Sequence, residues 1–191
     1  MPWRTLLNVA AASRGLQTEE RSLAGKELIL EFSEYDLDRI VSGPEEIRRY
    51  NPQRFEMEQL DAVVFEDTER FICVGYKNVT DQEFWIRGHM PGMPLMPGVV
   101  MCETAAQLSG YFAKKFDLLG ADDIALGGME DIRIREPVVP GDRLVIVLQR
   151  IRLRRGAVIV CKFQGFVDQK LVVEGKIKGV PLPSGVLGGS H

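Results

Sequence analysis

Between Pro97-Gly98 and Gly120 the chain carries one long segment, Val99 to Phe116, that reads as a helix with almost no polar side. Proline at its start, Lys114 and Lys115 in its last turns and a glycine shortly beyond all suit helix boundaries. Val99, Val100, Met101, Cys102, Ala105, Ala106, Leu108, Tyr111, Phe112 and Phe116 leave few polar positions. Such a helix must be covered nearly all round. Strand-like segments supply the cover. Ala62–Phe65 and Phe71–Val74 flank Asp67-Thr68-Glu69 as a hairpin. Ala125 to Arg135, Leu144 to Leu153, Val158 to Val167 and Leu171 to Ile177 follow the helix, separated by turns at Pro137–Asp142, Arg155-Gly156 and Asp168-Gln169. The pattern predicts an α+β fold: a curved antiparallel sheet of about six strands wrapped around one long helix.

Around this frame, Pro44-Glu45-Glu46 opens a short helix that ends near Tyr50, before Asn51-Pro52. Asp36 to Val41 suits one or two helical turns. In the last strand, alternation places Leu171, Val173 and Ile177 on one face and Val172, Glu174, Lys176 and Lys178 on the other. The expected organisation is an N-terminal extension over 1–44, one domain over 45–180 and a tail over 181–191. A length of 191 residues fits this, and 45% hydrophobic with 27% charged residues is ordinary for a soluble globular protein. No run approaches the roughly 18 apolar residues that span a bilayer. The net charge of −3 argues against nucleic acid as the main partner. Met1 to Ala12 faintly suggests a leader peptide, but Asn8 interrupts its apolar core. Cys73, Cys102 and Cys161 are distant from one another and set among apolar residues, which points to buried thiols in a reducing cytoplasm.

The chain has 2 histidines, and one is the last residue. The other, His89, lies in Gly-His-Met-Pro-Gly-Met-Pro-Leu-Met-Pro-Gly-Val, residues 88–99, where three prolines and three glycines restrict the backbone path. Helical spacing then puts Val99, Glu103, Ala106, Gln107 and Gly110 along one stripe. A carboxyl buried there would have its charged form penalised and would serve as a general acid. Free backbone N–H groups near Gly98 would hold a developing oxyanion. Gly110 clears space on the same stripe. A base, an acid and an oxyanion-binding helix end suit removal of a proton beside a carbonyl with loss of a β-hydroxyl. Cys102 lies about 100° round the helix from Glu103, which disfavours a thiol nucleophile. One His and one Glu leave a metal site short of ligands. Two readings remain open on physics alone: catalysis, or a His89 that satisfies a backbone carbonyl and a Glu103 paired with an arginine.

Residues 88–99, followed by Glu103-Thr104-Ala105-Ala106-Gln107, resemble the signature of the β-hydroxyacyl-[acyl-carrier-protein] dehydratases of fatty-acid synthesis. Arg135 to Leu144 resembles a second block of that family, and Asn78-Val79-Thr80 and Asn51 to Phe55 resemble two weaker ones. The resemblance covers roughly residues 45–180. It implies a hot-dog fold and no cofactor. It implies His89 as the base that takes the C2 proton, Glu103 as the acid that protonates the departing hydroxyl, and Gln107 as the group orienting that acid. The backbone at Gly98 and Gly110 would hold the thioester carbonyl. It also implies a homodimer in which His89 and Glu103 come from different subunits, with a trimer of dimers as a further assembly. Glu at 103, where related dehydratase–isomerases carry Asp, implies dehydration without isomerisation.

The chain departs from the pattern at Gln53 and Phe55, where His and Tyr are usual, and at Met90 and Met93, where Phe and Arg are usual. The extension is also longer than the family requires. The expected partner is an acidic acyl carrier protein. Arg150, Arg152 and Arg154 recur every second residue, so on a regular strand they form one basic face for it near the tunnel mouth, with Lys114, Lys115, Arg155, Arg48 and Arg49 as further basic groups. Two rival functions share the fold: a hydratase or thioesterase acting on coenzyme A thioesters, and a non-catalytic acyl-binding protein.

Overall fold

The structure is a computed structural model that describes residues 27–183. The leader-like residues and most of the expected tail lie outside the described residues. Two α-helices, α1 (Pro44–Tyr50) and α2 (Gly98–Lys115), accompany six strands. The strands are β1 (Ala62–Asp67), β2 (Ile72–Asn78), β3 (Ile124–Ile134), β4 (Arg143–Arg154), β5 (Val158–Val167) and β6 (Lys170–Pro181). They form one antiparallel sheet in the order β1-β2-β4-β5-β6-β3. This is the expected hot-dog arrangement, with α2 packed against β2 through β6.

The all-round apolar character of α2 explains its place. Met101, Cys102, Ala105, Leu108, Tyr111, Phe112 and Ala113 are buried, against Ile146, Leu148, Phe163, Val173 and Ile177 of the sheet. Between its two ends, α2 escapes full cover along the stripe of Val99, Glu103, Ala106 and Gly110, with Val99 70% exposed; Gly98 at the start and Lys114 and Lys115 at the finish are also only partly covered. The body of the helix is therefore enclosed except along the line that carries the acid.

The outer face of the sheet has its own cover. Leu30 is buried against Val64, Val74, Val147 and Phe166, with Leu28, Ile29, Phe32, Tyr35 and Leu37 beside it. Gln164, buried on that face, fastens the strap by accepting from the Ile29 N–H at 2.9 Å and donating to the Glu27 carbonyl at 3.1 Å. A buried amide satisfied at both ends favours this packing, because an unmet polar group there would cost about 1–3 kcal/mol.

Two expectations fail for local reasons. Asp36–Val41 is not helical: a 3-10 turn at Phe32–Glu34 precedes it. The chain then makes a single turn at Asp36–Arg39 and reaches the β1 edge, where Val41 and Ser42 N–H both donate to the Val63 carbonyl. Edge pairing outweighs weak helix propensity here. Alternation also breaks where the strand register shifts, and two of these β-bulges, each inserting one extra residue, overturn the expected faces. In β6, Gly165 pairs with Val173 but Phe166 pairs with Leu171, so Leu171 faces the strap while both Val172 and Val173 face α2. In β4, Arg150 pairs with Cys161 and Arg152 with Val160, so Arg150 lies on the opposite face from Arg152 and Arg154.

Candidate active site

His89 is built by the loop before α2. Trp85, buried, anchors the start of the turn and its carbonyl accepts the His89 N–H at 2.8 Å. The His89 carbonyl accepts from Leu95 N–H at 3.0 Å, and His89 Nδ1 lies 2.9 Å from the Leu95 carbonyl. A carbonyl only accepts, so Nδ1 carries the proton and Nε2 keeps its lone pair. The exposed ring is thus held in the tautomer that a base needs. Buried Met96 ties the loop to the second sequence block, its N–H donating to the Val138 carbonyl at 2.8 Å. That block is in turn braced by Val139 N–H to Asp142 Oδ2 and Gly141 N–H to the Val79 carbonyl.

Glu103 is positioned differently, by a chain of amides. Gln107, one helical turn on, donates from Nε2 to Glu103 Oε1 at 2.8 Å and to the Met57 carbonyl at 2.6 Å. Its Oε1 accepts the Gln59 N–H at 2.8 Å, which fixes the amide's orientation. Gln53 Nε2 adds a second donor to Glu103 Oε1 at 3.3 Å, and Asn51 Nδ2 donates to the Gln107 carbonyl at 3.0 Å. Gln107, Asn51 and Gln59 are buried and Glu103 is half-buried. The arginine partner of the structural reading is absent: among the described residues no ion pair joins Glu103 to an arginine. Asn51, Gln53 and Gln59 were not anticipated as members of the site. The signal was the Asn51-Pro52-Gln53-Arg54-Phe55 block, which matched the family weakly.

Gly98 and Gly110 have separate reasons. A Cβ at Gly98 would overlap the Ile134 side chain, so the missing side chain is what lets β3 close on the start of α2. Pro97 caps that helix without a side-chain hydrogen bond; its carbonyl accepts the Val100 and Met101 N–H groups, which leaves those of Gly98 and Val99 to other acceptors. At Gly110 a Cβ would meet only Asn51 Oδ1, at 3.6 Å. Gly110 lines a groove together with Glu103, Ala106, Gln107, Ile124 and Ile177.

His89 does not line that groove, and no hydrogen bond joins it to Glu103 among the described residues. Glu103, Gln107 and Gly110 are brought together; His89 stands apart on an exposed surface. Cys102 is buried, and burial pushes its thiol up, away from the thiolate a nucleophile requires. Among the described residues no group of three His, Cys, Asp or Glu converges to hold a metal. The three-arginine face is not formed, because Arg150 turns inward over Phe71. The β4–β5 hairpin that carries Arg152 and Arg154 packs near Asp117 and Leu119, beyond the last residue of α2, which is itself about 18 Å along the axis from Glu103 at 1.5 Å per residue.

A FabA-like domain matches residues 51–176. The chain is 37% identical over 134 residues to the 3-hydroxyacyl-[acyl-carrier-protein] dehydratase FabZ of Syntrophobacter fumaroxidans, covering 69% of this chain and 88% of that protein. It is 35% identical over 128 residues to the FabZ of Desulfotalea psychrophila, covering 66% and 84%. Among solved structures, the dehydratase heterocomplex ApeI:P from Xenorhabdus doucetiae is similar with a TM-score of 0.60 at 16% identity, over 72% of this chain and 91% of that one. Cj0977 of Campylobacter jejuni, a sigma28-regulated virulence protein, gives 0.55 at 13% identity, over 78% and 98%. These structures share the fold alone; the sequence matches carry the family. The chain belongs to the FabA-like family, among the 3-hydroxyacyl-[acyl-carrier-protein] dehydratases.

Proposed function

We propose that this protein dehydrates a 3-hydroxyacyl thioester on acyl carrier protein to the trans-2-enoyl thioester and water, in fatty-acid synthesis, without a cofactor. The observation that carries the reading is the held pair of opposite competences: an imidazole with Nε2 free, and a carboxyl gripped by two amides. His89 Nε2 takes the C2 proton while the N–H groups of Gly98 and Val99, ahead of those that bond the Pro97 carbonyl, receive the developing charge on the thioester oxygen. The C2–H electron pair forms the C2=C3 double bond, and the C3–O bond breaks as protonated Glu103 delivers its proton to the leaving hydroxyl. Water departs, leaving imidazolium and carboxylate, and return of the proton from one to the other resets the site. Gln107 and Gln53 orient the acid through this cycle.

The site is proposed to be completed by a second copy of the chain, His89 of one protomer meeting Glu103 of its partner. The uncovered stripe on α2 supports this, as does β3, a free sheet edge carrying Leu126, Met129 and Ile134 at 44–56% exposure. An exposed apolar edge strand invites pairing with another strand. The cytoplasm is the proposed compartment, which fits three free, buried cysteines.

Carrier docking is proposed at exposed arginines. Arg152 and Arg154 on the outer face form one candidate group. Arg49, 73% exposed at the end of α1 beside groove-lining Tyr50 and paired through one nitrogen with Glu46 at 2.8 Å, forms the other. Arg48 is held more fully, by two nitrogens on the Glu58 carboxylate. The test compares hydroxyacyl substrates on carrier protein and on coenzyme A across a salt series. Preference for the carrier, weakening with salt and lost on reversing one arginine group to Glu, is expected. Equal turnover of both thioesters without salt dependence would favour the coenzyme A reading.

A further inference from the structure

The groove beside Glu103 changes character along its length. Along its apolar side it is lined by Ala106, Gly110, Ile124, Ala125 and Ile177. The neutral side chains of Asn51, Gln53, Gln107 and Ser109 also border it, each already hydrogen-bonded within the protein. At the end farthest along α2 from Glu103 the lining is Lys114 and Asp123. Lys114 Nζ lies 3.6 Å from Asp123 Oδ1, and the two side chains are only 22% and 23% exposed. Lys178 lies apart from them, opposite Gly128 on the face away from Ile177, and is paired with Glu130 at 3.0 Å. An alkyl chain laid along the groove from Glu103 meets no charged side chain until it reaches this end. There it must strip water from a partly buried ion pair, and an apolar chain offers nothing in return.

We propose that the Lys114–Asp123 pair is the specificity-determining end stop of the acyl groove. It sets an upper limit on the length of the apolar chain the enzyme accepts. The inference rests on the dehydratase reading, in which the reacting carbon sits at Glu103. Lys114 follows Glu103 by three helical turns, about 16 Å along the axis. An extended chain advances about 1.2 Å per backbone bond, a third of the rise per extended residue, so about 13 bonds separate the reacting carbon from the pair. Chains shorter than this stop before the ion pair. Longer chains press a methyl end into the two charges.

The test uses the full-length protein and two 3-hydroxyacyl carrier substrates, one reaching about 8 bonds past the reacting carbon and one about 16. The readout is the ratio of kcat/KM for the long chain over the short one. In the double variant Lys114→Met with Asp123→Leu this ratio should rise about tenfold over wild type, the scale of a methylene or more gained in an apolar pocket. Lys114→Met alone, which keeps an unbranched chain in the last turn of α2, should move it the same way by a smaller factor, and it replaces the double variant if that fails to fold. An unmoved ratio in an active variant overturns the end stop while leaving the dehydratase reading intact. A wild-type preference for an acyl chain of matching length that ends in a carboxylate would also overturn it, by making Lys114 a recognition group. No turnover of any 3-hydroxyacyl thioester by wild type would instead defeat the functional reading beneath it.

Discussion

The two catalytic candidates live in unlike surroundings. Glu103 sits on a rigid helix, and its carboxyl is held by Gln107 and Gln53, with Gln107 tied to backbone at Met57 and Gln59. His89 sits on an exposed loop, its ring fixed by one carbonyl, and among the described residues no hydrogen bond engages its other nitrogen. On the proposed reading the acid is prepared by its own protomer and the base is prepared for use in another. Buried amides that orient an acid on a stripe left uncovered are the feature that supports closure by a second copy.

The largest effects should come from the two groups themselves. Glu103→Gln and His89→Ala should each lower turnover at least ~100-fold, the scale of a positioned acid or base, with the fold preserved in circular dichroism. Wild-type turnover in either variant would end the comparison at once. Next comes the support of the acid. Gln107→Leu removes the donor to Glu103 and leaves the Gln59 N–H and Met57 carbonyl without their partner. Turnover should fall about tenfold and stability by about 1–3 kcal/mol in urea melts. If only stability moves, Gln107 serves the fold and not the acid.

How much of this was readable in the sequence depended on distance along the chain. Glu103 and Gln107 are one helical turn apart, so their shared face followed from spacing alone. The strand positions were legible from hydrophobic runs, with β5 matching its expected limits and β6 running on to Pro181. Asn51, Gln53 and Gln59 were not legible as supports, since they meet Gln107 or Glu103 across some fifty residues and no local pattern encodes that pairing. The bulges were hidden for a related reason. An extra residue at Val172 or at Ile151 is a property of two strands together, and each one reverses the faces that alternation predicts. The strap of Leu28–Leu37 showed no sustained period, because it lies across the sheet as a cover and joins no ladder.

The smallest expected effect concerns the cysteines on the helix-facing side of the sheet. Burial pushes the Cys161 thiol up to about 11 from an ordinary 9.0. The unfolded chain therefore loses this proton first as pH rises, and stability should decline between about pH 9 and pH 11. Cys161→Ala should make that decline in melting temperature shallower. An unchanged slope would assign it to other groups, such as half-buried Tyr35, whose hydroxyl is pushed up to about 12.

The central claim, that each site joins His89 of one protomer to Glu103 of another, is tested most directly by mixing the two inactive chains. Differently tagged His89→Ala and Glu103→Gln proteins are co-expressed and the mixed dimer is isolated through both tags. In a two-fold dimer with shared sites, one site carries both substitutions and the other carries neither, so the mixed dimer should show about half the wild-type activity. If both groups served a site within one chain, every site in the mixed dimer would be defective. Activity no higher than that of the two parent variants would contradict the account.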